Sequence, residues 1–473
     1  MPTPLTLTEA AAALRAGDVT SVRLTEDALA AADRLDGALG TYLARFDEYA
    51  LARAEQADRE LAAGTDRGPL HGVPFGVKDV IAMAEGPTTA QSTVLDPGWG
   101  AGRDAPVVAR LKAAGAVITG KLSTMEFACG MPDPSGPFPV PRNPWDTAAW
   151  PGGSSSGTAG GVAAGLFFAG LGTDTAGSIR IPAGFCGVTG LMPTFGRVPK
   201  SGVVPLGYSL DHVGPLARSA RDCAAVLAAI AGPDPADPDS ADVPYTAPEF
   251  GGTLDGVRVG VVRENHFPDD ADPALAPAFD EALRVLAGLG ATLVEVTLPY
   301  WAETITANYV TMGAEALAYH RADLAARWDD YAPSTRLALA RGALATGADY
   351  VQAQRVRRVA QQALARLFED VDLVAAPTLG IGAPRYDDIT DAAGTVNVDA
   401  ASRFFFTPYW DCVGNPVLAA PMGATAAGMP LSLQLAGPAF GEAGVLRAAD
   451  AYQSVTDWHL RVPALAAAPG DDR

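Results

Sequence analysis

Apolar residues recur at helical spacing along the first sixty positions and then switch to strict alternation. Thr6 and Glu9 have the spacing of a capping box ahead of an alanine-rich helical pattern, and further helical patterns follow over 22–35 and 48–63. Residues 1–65 are therefore expected to form a helical lead-in. From Val73 the period becomes two, with Val73, Phe75 and Val77 on one side and Pro74, Gly76 and Lys78 on the other. This predicts a strand that ends on a lysine. A helix over 105–114 and a short strand from Ala116 come next. The Gly/Ser/Ala-rich stretch 152–190 has so few bulky residues that it reads as loop and tightly packed helix.

The segment GPDPADPDSADVP from Gly232 is rich in Pro and Asp, which predicts a solvated connector over 232–250. Beyond it, strand-like runs at Val257, Leu293, Asp372, Val417 and Leu431 are interleaved with helical patterns over 273–289 and 350–368. Strands alternating with helices indicate an α/β layered fold with a central sheet. The main catalytic domain is expected over 66–463, followed by a flexible tail at 464–473.

Composition narrows the function. The chain has 473 residues, 48% of them hydrophobic, enough to bury a sizeable core and to exclude a disordered or fibrous protein. A net charge of −20 repels phosphate backbones and anionic lipid, so neither nucleic acid nor membrane is expected as a partner. The N-terminus lacks the basic and apolar regions of a signal peptide, and the small-apolar stretch 158–171 is too short and Gly-rich to span a bilayer. Cys129, Cys186, Cys223 and Cys412 form no CxxC or Cys/His cluster, which speaks against structural zinc or a disulfide framework and suits a reducing cytoplasm. Of the 34 basic residues only Lys78, Lys112, Lys121 and Lys200 are lysines, so a lysine on an apolar strand stands out.

Three segments place a reactive group beside residues that permit unusual backbone: GVPFGVKD from Gly72, PGGSSSG from Pro151 and GTDTAGSIRIPAGFCG from Gly172. Burial of Lys78 disfavours its ammonium form, and a drop of roughly 3 pKa units would make it a base at neutral pH. The structural alternative is a strand-end ammonium paired with Asp79. The serine run, taken alone, reads equally as a linker or a helix cap. In the third segment, small residues at Thr175, Ala176 and Gly177 let successive N–H groups converge beside Ser178, the arrangement that holds an oxyanion. Asp174 and Arg180 are expected to brace that loop. None of His71, His212, His266, His320 and His459 lies in a nucleophile-elbow or metal-ligand context, so Ser–Lys chemistry competes well with a Ser–His reading.

Taken together and in this order, the three segments resemble the amidase signature family, whose members cleave amides with a Ser, cis-Ser, Lys triad. The resemblance extends from about Gly72 to Gly214, through NPWD, CGVTGLMPTFGRVP and SLDHVGPLARS, and resumes from Thr407 to Tyr452. It implies Lys78 as base, Ser154 as the serine after a cis bond from Gly153, Ser178 as the acylated nucleophile, and an oxyanion hole from the N–H groups of Thr175, Ala176, Gly177 and Ser178. It also implies a central mixed, twisted sheet covered by helices on both faces, and an amidase that needs no cofactor and no metal. Departures are Ser156 and Ala176 where glycine is common, Met192 for a frequent lysine, and Asp411 for a frequent asparagine, the last expected to alter the substrate side of the cleft.

Within the resemblance, the pocket is expected to use Cys129, Gly130 and Met131 together with Trp410. That favours a small-molecule substrate, an aryl or alkyl amide or a carbamate, with esters within reach of the same acyl-enzyme, in a monomer or homodimer. Two rivals stand beside it. One is the glutaminase subunit of a tRNA-dependent amidotransferase, against which Phe404, Phe405, Phe406 and the chain's acidity speak. The other is a non-catalytic scaffold, against which intact Lys78, Ser154 and Ser178 speak.

Overall fold

The computed structural model describes residues 6–390 and 399–467. Among them, strands β1 (Tyr42–Arg45), β2 (Pro74–Lys78), β3 (Val117–Leu122), β4 (Ala169–Asp174), β5 (Thr189–Met192), β6 (His212–Ala217), β7 (Arg258–Val262), β8 (Thr292–Val296), β9 (Leu373–Pro377), β10 (Val417–Ala424) and β11 (Pro430–Ala436) share one sheet. The order is β1-β3-β2-β4-β6-β5-β10-β11-β9-β7-β8. Pairing is parallel in β3-β2-β4 and in β9-β7-β8 and antiparallel elsewhere, so the sheet is mixed, as expected.

Helices α1 (Leu7–Ala16), α2 (Ser21–Leu39), α3 (Asp47–Ala62), α4 (Pro106–Ala113), α5 (Ser156–Ala164), α6 (Arg180–Cys186) and α7 (Ala220–Ile230) accompany the first six strands. The second half adds α8 (Leu275–Gly288), α9 (Trp301–Arg327), α10 (Pro333–Arg341), α11 (Gly347–Asp370), α12 (Asp399–Ser402), α13 (Pro408–Val413) and α14 (Glu442–Ser454). Thr6 and Glu9 make the reciprocal capping bonds that their spacing predicts, at 3.1 and 3.0 Å. The Thr8 N–H and hydroxyl then donate to Asp222 at the start of α7, tying the first helix onto the main body.

Three expectations change. The helical lead-in contains an edge strand: β1 is only four residues, too short to show alternation, and pairs antiparallel with β3. The stretch expected as loop and helix over 152–190 holds two sheet strands, β4 and β5, around the helices α5 and α6. The reason is proximity. A Cβ added to Gly170 would lie 2.6 Å from Thr158 Cγ2, and one on Gly172 would lie 2.6 Å from Ser155 Oγ, so α5 rests directly on β4. A strand under such a helix is written in glycine and alanine, and its period-two signal disappears. The connector is irregular, yet it is not free in solvent. Asp237 is buried and accepts the Lys200 N–H at 2.8 Å, Asp239 pairs with the Lys200 ammonium at 2.6 Å, and the Ala241 N–H donates to Gly196 O.

Of the expected tail, 464–467 run as a turn and 468–473 lie outside the described residues. No helix among the described residues is long and apolar enough to cross a membrane. The close β4–α5 approach predicts that Gly170→Ala destabilises the protein by about 1–3 kcal/mol, because its methyl group meets Thr158 and the Gly76 carbonyl. Gly37→Ala in α2, where a Cβ meets nothing within 4 Å, should instead stabilise by ~0.5–1 kcal/mol. Urea midpoints of the two variants measure both.

Candidate active site

Lys78 ends β2 with its side chain wholly inside the protein. Its Nζ lies 2.7 Å from Ser154 Oγ, 2.7 Å from Thr173 Oγ1 and 3.1 Å from Ser155 Oγ. Asp79, the next residue, turns away and pairs with Lys121 at 2.8 Å, while its other oxygen accepts from the Thr89 N–H and hydroxyl. The lysine thus has hydroxyls for neighbours and, among the described residues, no contacting carboxylate. Burial pushes its pKa down to about 7, against the more distant pull of Asp174 and Asp211.

The proton inventory gives the hydroxyls different roles. The Ser155 hydroxyl donates to Thr173 O at 3.2 Å, so toward the amine it acts as acceptor. A neutral amine with two protons and one lone pair can then take a proton from Ser154. The Gly153–Ser154 peptide is cis, as the resemblance implies. Ser155 N–H donates to Ser178 O at 3.2 Å, which joins the serine-rich loop to the turn between β4 and α6. Ser156, at the departure from glycine, closes its own loop by donating to Gly152 O at 2.6 Å.

In that second turn, Ala176 and Ser178 are partly exposed to the cleft while Thr175 and Gly177 are buried. Gly177 sits at φ 126°, a conformation glycine alone adopts easily. Its N–H, expected among the oxyanion donors, is taken at 2.5 Å by Asp174 Oδ1, which leaves Thr175, Ala176 and Ser178 as candidate donors. Asp174 Oδ2 accepts the Ile179 N–H and Arg180 Nε at 3.1 and 2.9 Å. The Thr175 hydroxyl donates to Asp211 at 2.6 Å, and Asp211 also accepts the N–H groups of Leu206 and Gly207. Burial raises the Asp211 carboxyl to about 6 in spite of those donors. His212, opposite Asp174 in the sheet, is lowered by burial to about 4 and stays neutral.

Asp411 corrects an expectation. It lies behind the catalytic turn rather than on the substrate side, fully buried, accepting Arg180 Nη2 at 2.5 Å. One guanidinium therefore serves two buried carboxylates. Burial works against charge on both: at Asp174 the nearby Arg180 overcomes it and holds the carboxyl low, while at Asp411 burial, reinforced by the Asp174 charge, pushes the carboxyl well up. The charged form is thus favoured at Asp174 and disfavoured at Asp411.

Above Ser154 and Ser178 opens a cavity of about 810 Å³. Cys129, Gly130 and Met131 line it, with Met125, Trp150, Ile181, Leu206 and Phe405. Trp410 does not. It is fully buried in a separate core cluster with Met192 and Val413, edge-on to Tyr409 at 5.3 Å. The remaining wall comes from α9 and α10, including Val310, Met312 and Leu337, which no motif marks in the sequence. Ser155, Thr173 and Asp211 are also unannounced as site residues, although each lies within or beside a segment singled out above. If Asp411 is the neutral acid, Asp411→Asn should keep activity within about 3-fold, whereas Asp174→Asn, which removes the charge facing Arg180, should cost at least about 10-fold. Steady-state kinetics on the two variants check the contrast.

The sequence model of the family described as Amidase matches residues 23–446. A glutamyl-tRNA(Gln) amidotransferase subunit from Chloroflexus aggregans is 40% identical, the match covering 98% of this chain and 99% of that protein. Among solved structures, a chain described with a vestigial protein complex bearing on the origins of an s-triazine catabolic enzyme has a TM-score of 0.86 at 35% identity, covering 95% of this chain and 98% of that one. Native peptide amidase from Stenotrophomonas maltophilia has a TM-score of 0.81 at 30% identity, covering 98% of this chain and 100% of that one. This chain belongs to the amidase family, as the three segments around Lys78, Ser154 and Ser178 led one to expect.

Proposed function

We propose that this protein hydrolyses the C–N bond of small aryl or alkyl amides through an ester of Ser178, with carbamates entering the same chemistry. One observation carries the reading: a buried amine on Lys78, its pKa pushed down to about 7, lies 2.7 Å from Ser154, which shares an apolar cleft with Ser178. Neutral Lys78 accepts the proton of Ser154 while Ser154 accepts that of Ser178, and the freed oxygen adds to the amide carbonyl. Charge growing on the carbonyl oxygen is met by the N–H groups of Thr175, Ala176 and Ser178, each worth about 3 kcal/mol. Lys78 then returns its proton through Ser154 to the amide nitrogen, and the C–N bond breaks with a neutral amine departing. Water repeats the relay on the ester, releasing the acid and restoring the Ser178 hydroxyl. No step draws on a cofactor or metal. The apolar lining supports a substrate with an aliphatic or aromatic group beside its amide.

A second reading is favoured by the curated relative at 40% identity over nearly the whole chain: ammonia release from glutamine, as the glutaminase component of a tRNA-dependent amidotransferase working with further subunits. Arg341 and Asp349 at the cleft add one charge of each sign, which suits an α-carboxylate and an α-amine. The apolar wall and the net charge of −20 support the first reading.

A hydrolysis panel of anilides, primary amides, carbamates, esters and glutamine separates them. Turnover of the apolar amides supports the first reading, and ammonia from glutamine alone supports the second. Ser178→Ala should lower turnover by at least about 10³-fold while leaving the fold intact, since alanine fits a turn of small residues. Wild-type turnover in that variant would end the assignment. For the pH dependence, the ammonium form of Lys78 cannot accept a proton. With its pKa pushed to about 7, kcat/KM should fall with acidification below that pH and level off above it. A profile flat between roughly pH 6 and 8, about one pH unit to either side of the lysine's titration, would remove Lys78 from the base role.

A further inference from the structure

The Ser178 turn has an anchor far outside the signature-like segments. Four successive carbonyls in it are each held by a partner. Asp174 O is 3.3 Å from His212 Nδ1, Thr175 O accepts from Asn308 Nδ2 at 3.2 Å, Ala176 O accepts from the Thr407 hydroxyl at 2.7 Å, and Gly177 O accepts from the Ile181 N–H at 2.7 Å. A trans peptide unit is planar with its N–H opposed to its C=O. Holding the Thr175 carbonyl on one side therefore directs the Ala176 N–H to the other. Ala176 is partly exposed and lines the cleft.

Asn308 belongs to α9, whose neighbouring residues Tyr309, Val310, Met312 and Gly313 line the same cavity. Its own side chain is fully buried, and its Oδ1 has no hydrogen-bond partner among the described residues. An orphaned buried acceptor is unfavourable, and leucine would fill a similar volume without one. The donor half of the amide is what the site uses. Thr175 is then gripped twice, its hydroxyl by Asp211 and its carbonyl by Asn308.

We propose that Asn308 is a positioning residue for the oxyanion site, turning the Ala176 N–H toward the oxygen of the reacting carbonyl. The inference rests on the acyl-enzyme reading above. It differs from a merely structural role in acting on the transition state rather than on substrate binding.

The test compares Asn308→Leu and Asn308→Ser with wild type and Ser178→Ala, using the best amide of the panel and a fluorophosphonate that phosphonylates Ser178. The leucine removes the donor at similar volume, and the serine hydroxyl is one bond too short to reach Thr175. The expected result is a kcat lowered about 10- to 100-fold with KM within about 2-fold, a phosphonylation rate lowered by a similar factor, and an unchanged melting transition. Wild-type kcat and labelling in either folded variant would overturn the proposal, as would a loss confined to KM. If Asn308→Leu does not fold, Asn308→Ser, which only removes volume, decides. Wild type that neither turns over any amide nor takes the label would sink the acyl-enzyme reading and this inference with it. An active, labelled wild type beside indifferent Asn308 variants sinks the inference alone.

Discussion

The site depends on an amine buried away from solvent, with no counter-ion in contact among the described residues. Moving Lys78 from the ordinary lysine value of 10.5 to about 7 corresponds to roughly 5 kcal/mol of bias against the ammonium form. Three hydroxyls satisfy the neutral amine by hydrogen bonding but do not neutralise a charge. The nearest acid in sequence, Asp79, is occupied by Lys121. Had it faced Lys78 instead, the pair would have been an ordinary buried ion pair and the lysine no base at neutral pH.

Charge is placed behind the site for the opposite purpose. Asp174, Arg180 and Asp411 are all fully buried, and their bonds reach the Gly177 and Ile179 N–H groups and the Thr407 carbonyl. A buried ion pair is weak evidence for stability, since desolvation offsets most of its attraction. Here its partners are the backbone atoms that shape the catalytic turn. Thr407 then returns a hydroxyl to Ala176 O, so a residue from the last third of the chain closes the same network. Positive and negative groups hold the turn from behind, and the cleft in front of it is lined mostly by apolar side chains.

That division explains why the chain declares its family more plainly than its substrate. Lys78, Ser154 and Ser178 sit on β2, the serine-rich loop and the β4–α6 turn, all in the first half of the chain. Much of the cleft wall comes from α9, α10 and the Phe405 segment, packed against them from the second half. Chemistry and selectivity thus reside on different stretches of chain, and one can vary while the other is kept.

From the sequence alone came the mixed α/β class, most strands of the second half, the capping box at Thr6 and the three segments that meet at the site. Each rests on local physics: a capping spacing, a period of two, glycine where the backbone must turn. Hidden from it were β4, because a strand lying under α5 is reduced to small residues, and β1, because four residues carry no period. Tertiary packing alone decided that Asp79 faces Lys121, that Asp411 backs Arg180 instead of meeting substrate, that the Gly177 N–H is occupied, and that Trp410 is core. Those are questions of which way a side chain or amide points. Direction depends on packing partners that lie from three residues away, at Gly177, to 231 away, at Asp411, and no local pattern encodes it.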